Sequence, residues 1–370
     1  MKILMINSVC GIGSTGKICV QAAREFEAQG HTVKIAYGRD GFVPEEFKPY
    51  AVRIGNDLGV RLHGVYSRLT DRHGFGSKAA TKKFLAWADA FDPDFLWLHN
   101  LHGYYLHIGL LFQWIKSRPQ MQVEWTLHDC WSFTGHCAHF DYIGCEKWKT
   151  GCHNCPQKSS YPGSLFADCS RKNYAQKKAL FTGIPNLTLI TPSAWLAEKA
   201  KQSFLGEYPT QVRHNTIDLH TFQPTPGDFR QRYALDGKTI VLGVASAWND
   251  RKGLSDFGKL RQLLSEEYAI VLVGLTPQQI QQIPAGILAL PRTNTPGELA
   301  QIYTAADVFV NLTYEDTYPT VNLEAQACGT PVISYDTGGC RETLNEAGIL
   351  IPKGDLPAAA KAISGLQRNK

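Results

Sequence analysis

Two acidic residues in the last fifth of the chain stand in a setting that suits sugar or phosphate chemistry. Asp316 lies in an acidic loop, and Glu324 follows eight positions later on a predicted helix, near enough to the helix start to face the same side. Ionised carboxylates accept strong hydrogen bonds from hydroxyl groups, and the free N–H groups around Thr320 and Val321 suit a phosphate. The pattern therefore predicts a phosphate site beside two acids that face one cleft, and the alternative is a helix cap beside one exposed acid.

A glycine-rich loop, Gly11–Lys17, follows the first predicted strand and opens a helix. Its backbone N–H groups at Gly13, Ser14 and Thr15 can cradle an anion. The spacing is nearly that of a P-loop, but Ile18 stands where Mg²⁺ binding requires Ser or Thr. We therefore predict a contact to a phosphate or sugar without Mg²⁺, and a tight turn that merely needs glycine is the alternative.

Five cysteines crowd residues 130–155, within a segment between a strand and the next helix that we define as the insert, residues 128–170. The spacing of two of them, Cys152-x-x-Cys155, is typical of one half of a zinc site, and Cys137 and Cys145 supply the other half. Free buried thiols and disulfides are the open alternatives. Aromatic residues in the insert, such as Phe140 and Tyr142, suggest that it shapes an acceptor site, and packing of a metal knuckle explains them equally well.

Two further segments suggest contacts, one with an acceptor and the other with a membrane surface. His99, His102 and Tyr105 follow a strand end and can line the acceptor side of a cleft, although ordinary loop capping is equally consistent. Basic residues lie among aromatic ones between positions 61 and 84, a composition that suits an anionic membrane surface or a lipid diphosphate. A solvated helix face is the alternative. The basic residues are Arg61, Arg68, Arg72, Lys78, Lys82 and Lys83.

The acidic segment resembles the retaining glycosyltransferases of family 4, which have the GT-B fold. Their signature is Glu-x7-Glu followed by Ala, Gly and Pro-Val, and Leu323–Val332 fits its second half fully. The first acid falls on Asp316, with Glu315 one place earlier, so the motif is shifted in detail.

Other parts of the chain resemble the same family. Lys252 matches the family's diphosphate-binding lysine, whereas Ala247 stands where the family usually has arginine, which Arg251 can replace. His128 matches a cleft histidine, and Asp336–Glu342 resembles a Gly-Gly-x-x-Glu turn.

The resemblance implies transfer of a sugar from a nucleotide-diphosphate sugar to an acceptor hydroxyl, with retention and without a catalytic metal. Asp316 would hold the sugar, Glu324 the ribose, and His128 the sugar or the developing charge. The acceptor would be a lipid-linked or polysaccharide intermediate, as in surface-polysaccharide assembly. The donor-binding set is Gly13, Ser14, Thr15, Arg251, Lys252, Glu315, Thr320, Val321, Asn322 and Glu324.

The elements that must position these residues alternate between strands and helices. This alternation predicts two doubly wound α/β domains of the Rossmann type facing a cleft, with ligands at the carboxyl ends of the strands. We place the division at residue 192, giving an acceptor-side domain over 1–192 and a nucleotide-sugar donor domain over 193–370. Predicted helices include Ile108–Lys116, Gly253–Leu264 and Pro296–Ala305.

Composition limits the other function classes. The chain has 370 residues, 44% of them hydrophobic, and a net charge of +5, which is too weak to indicate nucleic acid by itself. We find no apolar stretch of membrane-spanning length and no secretory signal, which predicts a cytoplasmic protein, with the inner face of the plasma membrane as the candidate site of peripheral attachment. The competing functions are a nucleotide-sugar epimerase, a P-loop NTPase and a zinc-knuckle nucleic-acid module.

Overall fold

The computed structural model describes residues 1–367 and divides into two compact units, Met1–Arg213 and His214–Lys370. Each unit is built on one parallel sheet that carries helices on both faces. The predicted pair of doubly wound α/β domains is therefore confirmed. None of the helices in the described part of the chain combines the length and the apolar character needed to cross a membrane.

The first unit contains a seven-stranded sheet with the strand order β3-β2-β1-β4-β5-β6-β7, in which every pairing is parallel. The strands are β1 Lys2–Ile6, β2 Thr32–Tyr37, β3 Ala51–Arg53, β4 Phe95–Leu98, β5 Gln122–Thr126, β6 Leu187–Thr191 and β7 Thr210–Val212. The helices are α1 Gly13–Ala28, α2 Asp57–Thr70, α3 Lys78–Phe91, α4 Ile108–Lys116, α5 Ser170–Phe181 and α6 Ala194–Lys201.

The central strand β1 shows why this sheet is covered on both sides. Ile3 and Met5 belong to one buried cluster, and Leu4 and Ile6 belong to another. Successive side chains of a strand point to opposite faces, so an apolar run with no polar alternation requires helices on each face.

The second unit contains a six-stranded parallel sheet with the order β10-β9-β8-β11-β12-β13. Its strands are β8 Thr239–Val244, β9 Tyr268–Val273, β10 Ile287–Leu290, β11 Val308–Asn311, β12 Val332–Tyr335 and β13 Ile349–Ile351. Its helices are α7 Phe229–Arg232, α8 Leu254–Leu263, α9 Pro277–Gln282, α10 Pro296–Ala305, α11 Thr320–Ala327 and α12 Leu356–Gln367.

Both sheets reverse their strand order beside a central strand, between β1 and β4 and between β8 and β11. Ligands of doubly wound sheets bind beyond the carboxyl ends of the strands at such a reversal. In the second unit these ends lead into residues 245–252 and 312–316. In the first unit they lead into the glycine-rich loop and into His99.

The boundary between the units lies 21 residues beyond the predicted division at residue 192. The reason is β7, which pairs in parallel with β6 through Leu189 and Thr210, and through Thr191 and Val212. With α6 it completes the first sheet, so the division falls at Arg213. The predicted donor and acceptor roles of the two units remain predictions.

The insert between β5 and α5 contains little regular structure apart from short 3₁₀ turns at Trp131–Phe133 and Lys147–Lys149. It is nevertheless packed, because Phe133, Phe140 and Trp148 are buried against one another with ring centroids 4.7–6.2 Å apart. Phe140 therefore belongs to the core of the insert, in agreement with the packing alternative for this ring, and the predicted role of the insert at an acceptor site stays a prediction. Tyr142 is exposed.

Candidate functional site

Two of the residues predicted to bind the donor, Lys252 and Asp316, meet beyond the ends of β8 and β11. The loop after β8 carries Lys252, and the loop after β11 carries Asp316; the Lys252 ammonium forms an ion pair with the Asp316 carboxylate. Burial alone raises the pKa of Asp316, but the charge and hydrogen bond of Lys252, with the N–H of Tyr318, outweigh it and hold the pKa below its usual value. Asp316 is therefore ionised at neutral pH.

Two glycines fix the backbone on either side of this ion pair. Gly253 has φ of +75°, and a Cβ atom there would lie 2.3 Å from the Leu312 carbonyl oxygen. Gly338 has φ of +55°, and a Cβ atom there would lie 1.9 Å from the carbonyl oxygen of Asp316. Only glycine permits both the conformation and the approach, so the Gly-Gly turn predicted at 336–342 acts as a support for Asp316.

Arg251 joins the same two loops. Its guanidinium donates to the Glu315 carbonyl oxygen at 2.7 Å, and its own carbonyl oxygen accepts from the Tyr314 N–H at 2.8 Å. The Glu315 side chain is fully buried. Arg251 and Glu315 were both predicted to contact the donor, and the structure uses at least part of each to hold the loops together.

Glu324 lies on α11, whose first turn contains Thr320 and Val321 behind Pro319, with no side-chain cap. The hydroxyl of Tyr303 donates to the Glu324 carboxylate at 3.1 Å, which orients it. Asn322, also predicted to bind the donor, is fully buried. Its side chain bonds to Asn311 at 2.9 Å and to Thr343 at 2.8 Å, so it fastens α11 to its neighbours.

The glycine-rich loop of the first unit leads directly into α1, which begins at Gly13. Gly13 and Ser14 are exposed, and Thr15 accepts a hydrogen bond from Asn7 at 3.3 Å. The helix has no side-chain cap at this end. The first N–H groups of a helix have no partner within the helix, and the contact of this loop to a phosphate or sugar stays a prediction.

Two histidines meet where β4 and β5 end side by side. His99 Nδ1 lies 3.1 Å from His128 Nε2, and their rings stack with centroids 5.4 Å apart. Burial lowers the pKa of His128 to about 4, and burial together with His128 lowers the pKa of His99. Both rings are therefore neutral at pH 7. The predicted acceptor-side residue His99 is buried behind His128.

His102 forms a second polar group at this edge. Its Nε2 lies 2.9 Å from the Asp129 carboxylate, and its Nδ1 lies 3.0 Å from the Tyr161 hydroxyl. Burial would raise the pKa of Asp129, but His102 and the N–H of Trp131 lower it below the usual range. Asp129 and Tyr161 were not predicted. Asp129 follows His128 just beyond β5, the strand beside β4, and this position is the signal that indicates its contact with His102.

Tyr105, which the sequence placed on the acceptor side, is a core residue. Its ring is 1% exposed, and its hydroxyl donates to the Asn100 carbonyl oxygen at 2.7 Å. The neighbouring Tyr104 instead reaches the histidine cluster, with its ring 4.6 Å from that of His73. The tyrosine beside the histidine cluster is therefore Tyr104, one position before the predicted Tyr105.

The four cysteines predicted as zinc ligands come together in the insert. Cys137, Cys145, Cys152 and Cys155 line one small cavity, and the side chains of Cys137 and Cys155 are hydrogen-bonded to each other. Among residues 1–367, no three His, Cys, Asp or Glu side chains are arranged to hold a metal ion. Zinc binding therefore remains a prediction.

The sequence of residues 238–369 matches the family "Glycosyl transferases group 1". This stretch contains Lys252, Asp316 and Glu324, the residues on which the resemblance to glycosyltransferases was based. The match therefore covers the donor-side loops just described.

Among curated relatives, the chain is 27% identical over 361 residues to a putative colanic acid biosynthesis glycosyl transferase of Escherichia coli, covering 94% of this chain and 86% of that one. It is 28% identical over 125 residues to the N,N'-diacetylbacillosaminyl-diphospho-undecaprenol alpha-1,3-N-acetylgalactosaminyltransferase of Campylobacter jejuni, covering 32% of each. These names give no support to the epimerase, NTPase or nucleic-acid alternatives.

Among solved structures, the chain is similar to the Anabaena protein HepE in complex with UDP-glucose. The TM-score is 0.63 at 15% identity, and the match covers 100% of this chain and 90% of that one. This likeness concerns the fold, and it confirms the GT-B architecture expected from the sequence.

Proposed function

We propose, from the premise that this chain is a glycosyltransferase of the GT-B type with a group 1 domain over residues 238–369, that it moves a sugar with retention of configuration. The donor is a nucleotide-diphosphate sugar, and no metal takes part in catalysis. The acceptor is a hydroxyl of a lipid-linked or polysaccharide intermediate. The observation that carries this proposal is the ion pair of Lys252 with Asp316, supported from both sides by glycines that no other residue can replace.

Lys252 is the proposed contact to the donor diphosphate. An ammonium group has three donors in all, of which one bonds to Asp316. Its remaining capacity suits phosphate oxygens, whose negative charge grows as the sugar leaves. The first turn of α11, at Thr320 and Val321, offers N–H groups to the same phosphate.

The carboxylates are proposed to hold the donor by its hydroxyl groups. Glu324, oriented by Tyr303, accepts from the ribose, and Asp316, held ionised beside Lys252, accepts from the sugar. Neutral His128 bonds to the sugar rather than supplying a full positive charge, because its pKa is about 4. The loop at Gly13–Thr15 adds N–H groups toward phosphate oxygens.

The acceptor proposal is supported by what is known of relatives. The Campylobacter jejuni transferase is named for a diphospho-undecaprenol substrate, and the Escherichia coli relative for colanic acid biosynthesis. We propose a reducing compartment, the cytoplasm, with attachment to the inner face of the plasma membrane, and the ten cysteines are all free thiols in the structure.

We also propose a structural zinc ion for the insert, because four cysteines from separate turns face one cavity. Thiolate sulfurs are preferred ligands of zinc, and small rotations of these side chains would direct them inward. Protein purified without chelator should contain about one zinc per chain, and the paired substitution Cys152→Ser and Cys155→Ser should remove it. Substitution of the buried Cys10 is the control, and wild-type protein with no zinc would contradict the proposal.

A panel of nucleotide sugars, offered with and without a lipid-diphosphate acceptor, tests the function. We expect nucleotide diphosphate release that depends on the acceptor, and loss of nucleotide diphosphate affinity on Lys252→Ala in calorimetry. Lys259→Ala, which removes another Lys–Asp pair of the second unit, is the matched control. Equal affinity of the Lys252 and Lys259 variants would exclude the assigned diphosphate contact.

A further inference from the structure

The helix α2 turns its apolar side away from the protein. Five large apolar side chains along it are between 39% and 64% exposed. The residues that the helix buries are His63 and Ser67. A helix that packs on a core shows the opposite arrangement. The outward residues are Leu58, Leu62, Val65, Tyr66 and Leu69.

Exposed apolar residues continue this surface at both ends of the helix. Phe42 is 63% exposed and follows Gly41, where a Cβ atom would lie 3.4 Å from the Asp57 carboxylate at the helix start. Leu165 and Phe166 are 63% and 76% exposed, and the Leu165 N–H donates to the Arg68 carbonyl oxygen at 2.8 Å. The surface therefore runs the full length of the helix, about 21 Å.

Positive charge borders this apolar surface. Arg61 and Arg68 are exposed and lie seven positions apart, which places them on one flank of the stripe. The acids of the same stretch are engaged elsewhere, because Asp57 forms an ion pair with Arg53, and Asp71 is buried against His136. An apolar stripe with a cationic edge is the composition of helices that lie in the interface of anionic membranes.

We propose that this surface, which we call the α2 face, inserts into the interfacial region of an anionic lipid bilayer. The α2 face comprises the five outward side chains of α2 together with Phe42, Leu165 and Phe166. A lipid surface satisfies the apolar stripe and the arginines together. A symmetric contact with a second copy would bring the same cationic flank against itself, which disfavours that occupant.

The opposite side of α2 connects this surface to the acceptor edge. The His63 ring lies 5.9 Å from that of Tyr104, and Tyr104 in turn packs on His73. One helix thickness, about 10 Å, thus separates the α2 face from the loop that carries His102. On the proposed function, docking would bring the head group of a lipid-linked acceptor to this loop.

Sedimentation with lipid vesicles tests the α2 face. The full chain should bind vesicles of phosphatidylcholine with phosphatidylglycerol more tightly than vesicles of phosphatidylcholine alone. The double variant Leu62→Ser and Leu69→Ser should bind about a hundredfold more weakly, since each leucine withdrawn from the interface costs roughly tenfold. Leu219→Ser with Leu263→Ser, which changes two exposed leucines of the second unit, should bind like the wild type.

A charge variant separates the contribution of the arginines from that of the apolar stripe. Arg61→Ala with Arg68→Ala should lose most of the preference for anionic vesicles and its dependence on salt, while weak binding to neutral vesicles remains. Unchanged preference for anionic vesicles in this variant would overturn the role of the arginines.

Three outcomes would overturn the α2 face as a membrane surface. Wild-type protein could remain in the supernatant with both vesicle types, or the leucine variant could bind like the wild type. Light scattering could instead show that the leucine variant separates a dimer into monomers without vesicle binding, which would assign the face to a second copy. Calorimetric affinity for the nucleotide diphosphate, measured without vesicles, keeps these results distinct from failure of the proposed function, because the leucine variant should bind it as the wild type does.

Discussion

The donor-side loops of the second unit and the histidine edge of the first unit are built in different ways. Lys252 and Asp316 lie 64 positions apart in the sequence, and backbone bonds and two glycines set the positions of their loops. The histidine edge is held by side chains from distant segments, such as His136 with Asp71, 65 positions apart. The comparison teaches that both regions join segments far apart in the sequence, the first mainly through backbone groups and glycines and the second through side chains.

A second long-range contact makes this difference concrete. The ammonium of Lys177 is buried and donates to the carbonyl oxygens of Trp131 at 2.7 Å and Thr134 at 3.1 Å. Burial lowers its pKa to about 7. The insert is thus fastened to α5 by a group that no local pattern identifies.

The largest expected effect concerns the donor side alone. Glu324→Ala should reduce transfer about a thousandfold or more, because it removes a charged contact to the donor within a preorganised site. Turnover is measured with the nucleotide sugar that the panel identifies, and circular dichroism checks the fold. Glu266→Ala, at an exposed position of the same unit, is the control. Near-normal turnover of the Glu324 variant would break the assignment of the donor site.

The second effect is confined to the first unit and depends on pH. Burial lowers the pKa of His63 and of His128 to about 4, so the unfolded chain binds more protons than the folded chain below pH about 6.5. Stability should fall as the pH drops from about 6.5 toward 4, by up to about 3 kcal/mol for each group. The pKa of Asp316 is lowered from its usual value of 3.8, so the stability that this group contributes to the second unit is lost only below pH 3.8. The stability of the second unit should therefore not change between pH about 6.5 and 4.

Urea unfolding followed by tryptophan fluorescence measures this effect, because seven of the eight tryptophans lie in the first unit. The midpoint should be lower at pH 5 than at pH 7, and His128→Gln should reduce the difference. Identical midpoints at both pH values would show that the histidine edge is less buried than the comparison requires.

The smallest effect tests the backbone part of the comparison. Gly338→Ala should reduce activity about tenfold to a hundredfold, because the added Cβ displaces Asp316 by a fraction of an ångström or more. Gly237→Ala is a matched control, since Gly237 also has positive φ, +73°, but a Cβ there meets nothing within 4 Å. Equal rates for the two variants would mean that only backbone strain, and not contact with Asp316, matters at position 338.

The sequence predicted the regular elements well where apolar periodicity reflects burial. The helices at Ile108–Lys116 and Pro296–Ala305 were predicted with their observed bounds. From the sequence, α2 was predicted only as part of a basic segment. Its apolar residues face outward, so their helical periodicity does not indicate burial. Phe75 and Phe84, which were grouped with that basic surface, are buried.

The candidate site could be predicted where its residues belong to a recognisable motif. The glycine turn at 336–342 lies against Asp316, which pairs with Lys252. Two residues of the site belong to none of the motifs identified in the sequence. Tyr303 orients Glu324, and Asp129 binds His102. Their roles depend on which helices and strands become neighbours, and a single sequence does not record that information.

The late boundary at Arg213 has a practical consequence for exchanging donor specificity. Arg213 pairs with Glu124 at 3.0 and 3.3 Å, and its guanidinium lies 5.5 Å from the centre of the Trp97 ring. The last residue of the first unit is thus tied into its own sheet. Chimeric enzymes should be joined after Arg213, because a crossover at residue 192 would graft a foreign edge strand onto the first sheet.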